Sequence, residues 1–179
     1  ILPVVIRGSL SIIDKGPSSM FLGDGTGNSS PFTFLRNGLT VGKNLNLTVG
    51  NGGSTLNLDR VTVGGKTKIV TGSGIDTINI DDSVFHGFQL LTGLGADIVN
   101  IEQQTSTQST TQFLGKTKVD LGGGVDNFSL GDAADFTRQV EFFGPAKLSG
   151  GKDTDFDNIY RSNLVTAFNT PTYDFDNVI

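Results

Sequence analysis

One turn phrase recurs along this 179-residue chain. It reads GNGGSTLNL at 50–58, GSGIDTINI at 72–80, GLGADIVNI at 93–101, GGGVDNFSL at 122–130 and GKDTDFDNI at 151–159. Each copy is a glycine-rich turn, usually followed by an aspartate, then apolar–polar–apolar alternation. The copies start 22, 21, 29 and 29 residues apart. Such self-similarity means that one small unit is repeated and stacked, because a single unit cannot bury its own apolar face. The chain is thereby confined to repeat architectures.

A second landmark travels with the first. A glycine follows a short apolar run at Gly8, Gly42, Gly64, Gly87, Gly115 and Gly144, and each precedes another alternating run. One unit then reads strand, glycine bend, strand, Gly-x-Gly turn, strand; for 61–80 this is VTV, GG, KTKIV, TGSGID, TINI. Three short strands in about 22 residues predict one turn of a right-handed, single-stranded parallel β-helix, the hand following from parallel crossovers. Roughly six to seven such coils make one domain over 1–179, with 1–22 as the N-terminal coil and 160–179 as a C-terminal coil or cap. Ile78 and Ile80 are expected to face inward, stacked on Leu56 and Leu58, on Val99 and Ile101, and on Phe128 and Leu130, because side-chain direction alternates along a strand.

The composition agrees with an all-β chain. Glycine supplies 25 residues, 17% of residues are charged, and no stretch carries the 3.6-residue period of a long helix. Net charge is −5, which argues against nucleic acid and anionic membranes as partners, and no segment reaches the ~20 apolar residues of a membrane span. There are 16 Asp against 2 Glu, a skew that suits turns and hard-cation ligands rather than helices. Cysteine is absent, which excludes disulfides, thiolate metal sites and cysteine nucleophiles. The opening Ile1-Leu2-Pro3, without an initiator Met, is read as a processed or cut chain, and the echo of DFDN at 155–158 and 174–177 as a cap or part of a longer repeat protein.

The longer repeats carry insertions at 23–38, 103–112 and 131–139. All fall after a third strand and before the next first strand, so they are expected along one edge, where repeat proteins commonly bind partners.

Asp76, Asp97, Asp126 and Asp155 share one turn position. The stretches GSGIDTINI, GLGADIVNI and GGGVDNFSL resemble the hemolysin-type (RTX) repeat GGxGxDxUx. The resemblance implies Ca²⁺ held by backbone carbonyls and aspartates of stacked turns. Here the motif occurs once per 21–29 residues instead of in direct tandem, and Ser54 replaces the first aspartate. The metal candidates are Asp76, Asp97, Asp126, Asp153, Asp155 and Asp157, the last three sharing one face of an alternating DTDFD run. The competing expectation is that each aspartate accepts N–H groups of its own turn.

Asn57, Asn79, Asn100 and Asn158, with Ser129 in line, predict a column of stacked amides. Lys68, Lys118 and Lys147 form one column of the second strand and Lys66 and Lys116 another, read as a solvated face. His86 is aligned with Val41, Val63, Leu114 and Phe143 and is expected as a neutral, partly buried filler. No catalytic residue is assigned, since paired carboxylates, an Arg cluster and a Ser/His/Asp set are all missing. The chain also resembles bacterial extracellular β-helix repeat proteins. That resemblance implies a non-catalytic structural or adhesive module at the cell surface, with a glycan or surface protein as partner. The alternative is a carbohydrate-active β-helix of the lyase or glycoside hydrolase kind.

Overall fold

The computed structural model describes residues 4–23, 33–34, 38–103, 109–132, 135, 138–151, 158–161, 165–167 and 171–178. Among them every regular element is a strand, and every strand pairing is parallel.

The strands fall into three ladders that, apart from the pairing of Thr33–Phe34 with Ser19–Gly23, join segments one repeat apart in sequence. The first runs through Val4–Ile6, Leu39–Val41, the starts of Val61–Val70 and Val84–Leu91, then Ser109–Phe113, Arg138–Phe142 and Val165–Ala167. The second runs through Leu10–Ile13, Leu45–Thr48, the ends of those two long strands, then Thr117–Asp120, Ala146–Ser149 and Thr172–Asp174. Because Val61–Val70 and Val84–Leu91 run unbroken through the bend, these two ladders form one 12-stranded sheet. The third ladder is an 8-stranded sheet: Thr33–Phe34, Ser19–Gly23, Thr55–Asp59, Thr77–Asp81, Ile98–Ile101, Asn127–Leu130, Asn158–Arg161 and Asn177–Val178.

The core lies between the sheets and consists of columns of like residues. Ile78 pairs with Leu56 and Val99, and Ile80 with Leu58 and Ile101; Phe128 and Leu130 extend both columns, and all eight side chains are buried. Full burial of each such side chain contributes roughly 1.5–3 kcal/mol. Opposite them, Leu47, Ile69, Leu90, Val119 and Leu148 form another buried column. At the turn between second and third strands, glycine is required by contact with the coil before. A Cβ on Gly122 would collide with the Gly93 carbonyl, and Gly122 itself sits at φ +94°.

His86 is not a core filler. The buried column reads Val41, Val63, Phe85, Phe113, Phe142, and His86 is exposed one residue further on. The ladder register shifts between Phe85 and Gly87, so aligning the repeats on their glycines misplaces this bend by one residue. Phe113 stacks between Phe85 and Phe142, with ring centroids at 5.6 and 5.0 Å.

The insertions do join third strands to the next first strands, but two are shorter than expected. Residues 109–112 and 138–139 already belong to first strands, because they pair in register with one another. Within 23–38, Thr33–Phe34 pairs alongside Ser19–Gly23 and forms the edge of the 8-stranded sheet.

Candidate functional site: the buried aspartate column

The aspartate of the recurring turn stands immediately before the third strand, where the chain turns inward. Asp76, Asp97 and Asp126 are all fully buried. Their Oδ1 atoms reach the backbone of the coil before. The N–H of Ser54 donates to Asp76 Oδ1 at 2.6 Å, that of Asp76 to Asp97 Oδ1 at 2.8 Å, and that of Asp97 to Asp126 Oδ1 at 2.7 Å. Each carboxylate therefore accepts from the equivalent residue one coil earlier. Ser54 plays the same part with a hydroxyl, accepting from the Ser18 N–H at 3.2 Å. The backbone carbonyls of these residues complete the seam: Ser54, Asp76 and Asp97 accept from Thr77, Ile98 and Asn127. A corner that leaves the sheet ladder is thus hydrogen-bonded from coil to coil through side chains.

The surroundings are polar on one side. Thr71 Oγ1 donates to the Thr92 carbonyl at 2.6 Å and Thr92 Oγ1 to the Leu121 carbonyl at 2.5 Å, a second buried link between coils in the same corner. Burial pushes the Asp97 carboxyl above its ordinary value. The hydrogen bond from Asp76 acts against that rise, and the Asp76 charge adds to it.

Asp76 Oδ2 and Asp97 Oδ2 are buried and make no hydrogen bond. They are the atoms of this column that a cation would satisfy. Ca²⁺ takes 6–8 oxygen ligands, and each of these aspartates already commits Oδ1 to a backbone N–H. Among the described residues no group of three or more His, Cys, Asp or Glu is arranged to hold a metal ion. Asp153, Asp155 and Asp157 lie outside the described residues.

The amide column forms as a chain of donors and acceptors. Asn79 Nδ2 donates to Asn57 Oδ1 at 2.8 Å, and Asn100 Nδ2 to Asn79 Oδ1 at 3.0 Å. Ser129 follows Asn100 in register and Tyr160 follows Ser129, so Asn158 belongs to the neighbouring column with Asn127. The slip is two residues.

The insertion edge holds charged residues that composition alone did not single out. Arg138 is buried; its Nη1 donates to Asp132 Oδ2 and its Nε to Asp135 Oδ2, both at 3.1 Å. Gln103 Nε2 donates to the Gly131 carbonyl, joining the roots of the second and third insertions. Glu102 is buried at the same corner with φ +59°, and its Oε1 accepts from the Asp82 N–H and the Thr111 hydroxyl. The i, i+3, i+6 spacing of Asp132, Asp135 and Arg138 was the available signal for the first cluster; Glu102 has none.

Comparison with protein-family models, with curated proteins and with solved structures finds no match.

Proposed function

We propose that the chain is a right-handed parallel β-helix of three strands per coil, acting as a non-catalytic structural or adhesive module outside the cell or on its surface. The fold reading is supported by three parallel ladders whose neighbours, Thr33–Phe34 aside, are one repeat apart in sequence. The observation that carries the function is the use made of the turn aspartates. Asp76, Asp97 and Asp126 are the acidic residues of the recurring turn, and each is buried and spends an oxygen on the backbone of the preceding coil. Side chains so used splice coils together. The edge where third strands lead to the next first strands, at 23–38, 103–108 and 131–137, is the binding edge of this reading, with a glycan or surface protein as partner; most of those residues lie outside the described ones.

Calcium stabilisation is a second reading, favoured by the buried Oδ2 atoms of Asp76 and Asp97. The discriminating experiment is a thermal melt in millimolar CaCl₂ and in EDTA, run beside a glycan array and a reducing-end assay on the glycans retained. A calcium-raised melting temperature supports the metal; no shift removes it. Release of reducing ends would overturn the non-catalytic reading in favour of a carbohydrate-active β-helix.

A further inference from the structure

The bend between first and second strands is one residue shorter in a single coil. Gly64–Gly65 separate Val63 from Lys66, and Leu114–Gly115 separate Phe113 from Lys116, but His86 alone separates Phe85 from Gly87. The shorter bend places Gly87, which has no side chain, between Lys66 and Lys116. An open groove of about 560 Å³ results, lined by Lys66, His86, Gly87, Gln89, Lys116 and Lys118 among others.

Its floor is Gly87, which pairs with Lys66 on one side; the Phe88 N–H bonds to the Lys116 carbonyl on the other. Lys66 and Lys116 therefore stand two strand spacings apart, about 10 Å, with no side chain between them. The fold does not require glycine there. A Cβ on Gly87 would come no closer than 3.8 Å to its neighbour, Lys66 Cα, whereas one on Gly64 would lie 2.7 Å from the Gly42 carbonyl oxygen. His86 is tethered by its Nδ1, 3.0 Å from the Val63 carbonyl, which leaves Nε2 for a ligand. Among the described residues neither Lys66 nor Lys116 has an acidic partner, while Lys118 is paired with Asp120 at 2.8 Å. Two unneutralised cations in one groove of a chain with net charge −5 are a local reversal of sign.

We propose that this groove binds an acidic polysaccharide, with Lys66 and Lys116 taking carboxylate or sulfate groups on separate sugars and His86 and Gln89 hydrogen-bonding between them. The spacing of the cations favours a chain whose charges are widely set. A nucleic acid presents phosphates far more densely and needs many close contacts against the repulsion of an acidic protein. Phe143, on the same bend further along the stack, exposes apolar surface that suits a sugar face. The site is separate from the insertion edge and independent of the calcium reading.

The test is affinity electrophoresis of the full chain in EDTA through gels containing polygalacturonate, dextran sulfate, neutral dextran or a single-stranded DNA oligomer. Wild type is expected to be retarded by the two acidic polysaccharides alone. Lys116→Glu and the charge-neutral Gly87→Gln, which fills the floor, should each weaken retardation about tenfold or more, and Lys15→Glu, with the same charge change on a distant turn, less than about twofold. No retardation of wild type overturns the proposal, as does an effect of Lys15→Glu equal to that of Lys116→Glu. Retardation by DNA as strong as by the polysaccharides overturns the carbohydrate assignment. If a thermal melt shows Gly87→Gln to be unfolded, the comparison of the two lysine variants still decides.

Discussion

The backbone N–H of Asp76 donates to the Oδ1 of Asp97 at 2.8 Å, across one coil of the stack. Two buried carboxylates are thereby held one strand spacing apart, about 4.8 Å. Like charges at that distance repel by roughly 1 kcal/mol even in a water-like dielectric, and more in the interior. The seam persists because each carboxylate satisfies a backbone donor that would otherwise be buried and unpaired. The column is therefore a compromise between hydrogen bonding and charge.

Asparagine and alanine at position 97 should separate those two effects. Asp97→Asn keeps an oxygen for the Asp76 N–H and removes a buried charge, so its stability is expected within about 1 kcal/mol of wild type. Asp97→Ala leaves that N–H buried without an acceptor, at a cost of about 1–3 kcal/mol. Urea unfolding of the two variants measures the difference; equal losses would show that charge, not the acceptor, matters at this site.

The same pair predicts a pH dependence. The folded-state pKa of Asp97 is raised above its ordinary value of 3.8, chiefly by burial. The folded protein therefore holds the proton more tightly than the unfolded chain. This contribution to stability is complete below the unfolded value and is lost as pH rises through the raised folded value. Wild type should accordingly gain on Asp97→Asn as the pH is lowered towards 3.8, with the carboxylates outside this column cancelling between the two proteins. A gap in unfolding free energy that stays constant from neutral pH to 4 contradicts the assignment.

How far the sequence discloses this molecule depends on the kind of residue. The inward columns through Ile78 and Ile80 are legible because alternation fixes the face and the turn phrase fixes the register. Asn57, Asn79 and Asn100 are legible for the same reason. Phe85 is not: the glycine landmarks align His86 with the core, and a one-residue deletion within a bend leaves no mark on a period that varies anyway. The burial of the turn aspartates follows from position, but their partners do not. A turn aspartate whose carboxylate reaches back to the preceding coil has the same local sequence as one that bonds within its own turn. Arg138 and Glu102 are least legible, because a charge at an insertion reads as solvated until its burial is seen.

The amide column supports a test by double-mutant cycle. Asn79 both donates to Asn57 and accepts from Asn100, so Asn79→Ala should cost roughly 1–3 kcal/mol by removing two hydrogen bonds. The coupling between Asn57→Ala and Asn79→Ala is expected at about 0.5–1.5 kcal/mol. Strict additivity of the two losses in urea unfolding would mean that the amides do not communicate.

The phenylalanine stack predicts a different ranking. Phe113 contacts Phe85, Phe88 and Phe142 at centroid distances of 5.6, 5.0 and 5.0 Å. Phe113→Ala should cost about 3–5 kcal/mol through lost burial and a cavity that the flanking sheets prevent from closing. Phe113→Leu keeps most of the volume but forfeits ring–ring contacts worth about 0.5–1.5 kcal/mol each, so an intermediate loss is expected. Alanine and leucine of equal stability would show that the stack relaxes around the site.

Arg138 and its two aspartates give the sharpest asymmetry. The arginine side chain is 3% exposed, whereas Asp132 and Asp135 are 27% and 34% exposed. The guanidinium bears the larger desolvation penalty and depends on the pair for compensation. Arg138→Met removes that buried charge, fills much of its volume and leaves two carboxylates within reach of water. Its stability is expected within about 1 kcal/mol of wild type, because an apolar replacement of a buried ion is commonly neutral. The double variant Asp132→Asn/Asp135→Asn leaves the cation buried with neutral partners and should cost about 3 kcal/mol. Thermal melts at low and high salt distinguish this from a surface pair: the loss in the double variant should persist in 1 M NaCl, where the Debye length is about 3 Å. A loss that vanishes in salt, or that is larger for Arg138→Met than for the double variant, would place the ionic contribution of Arg138, Asp132 and Asp135 at the surface.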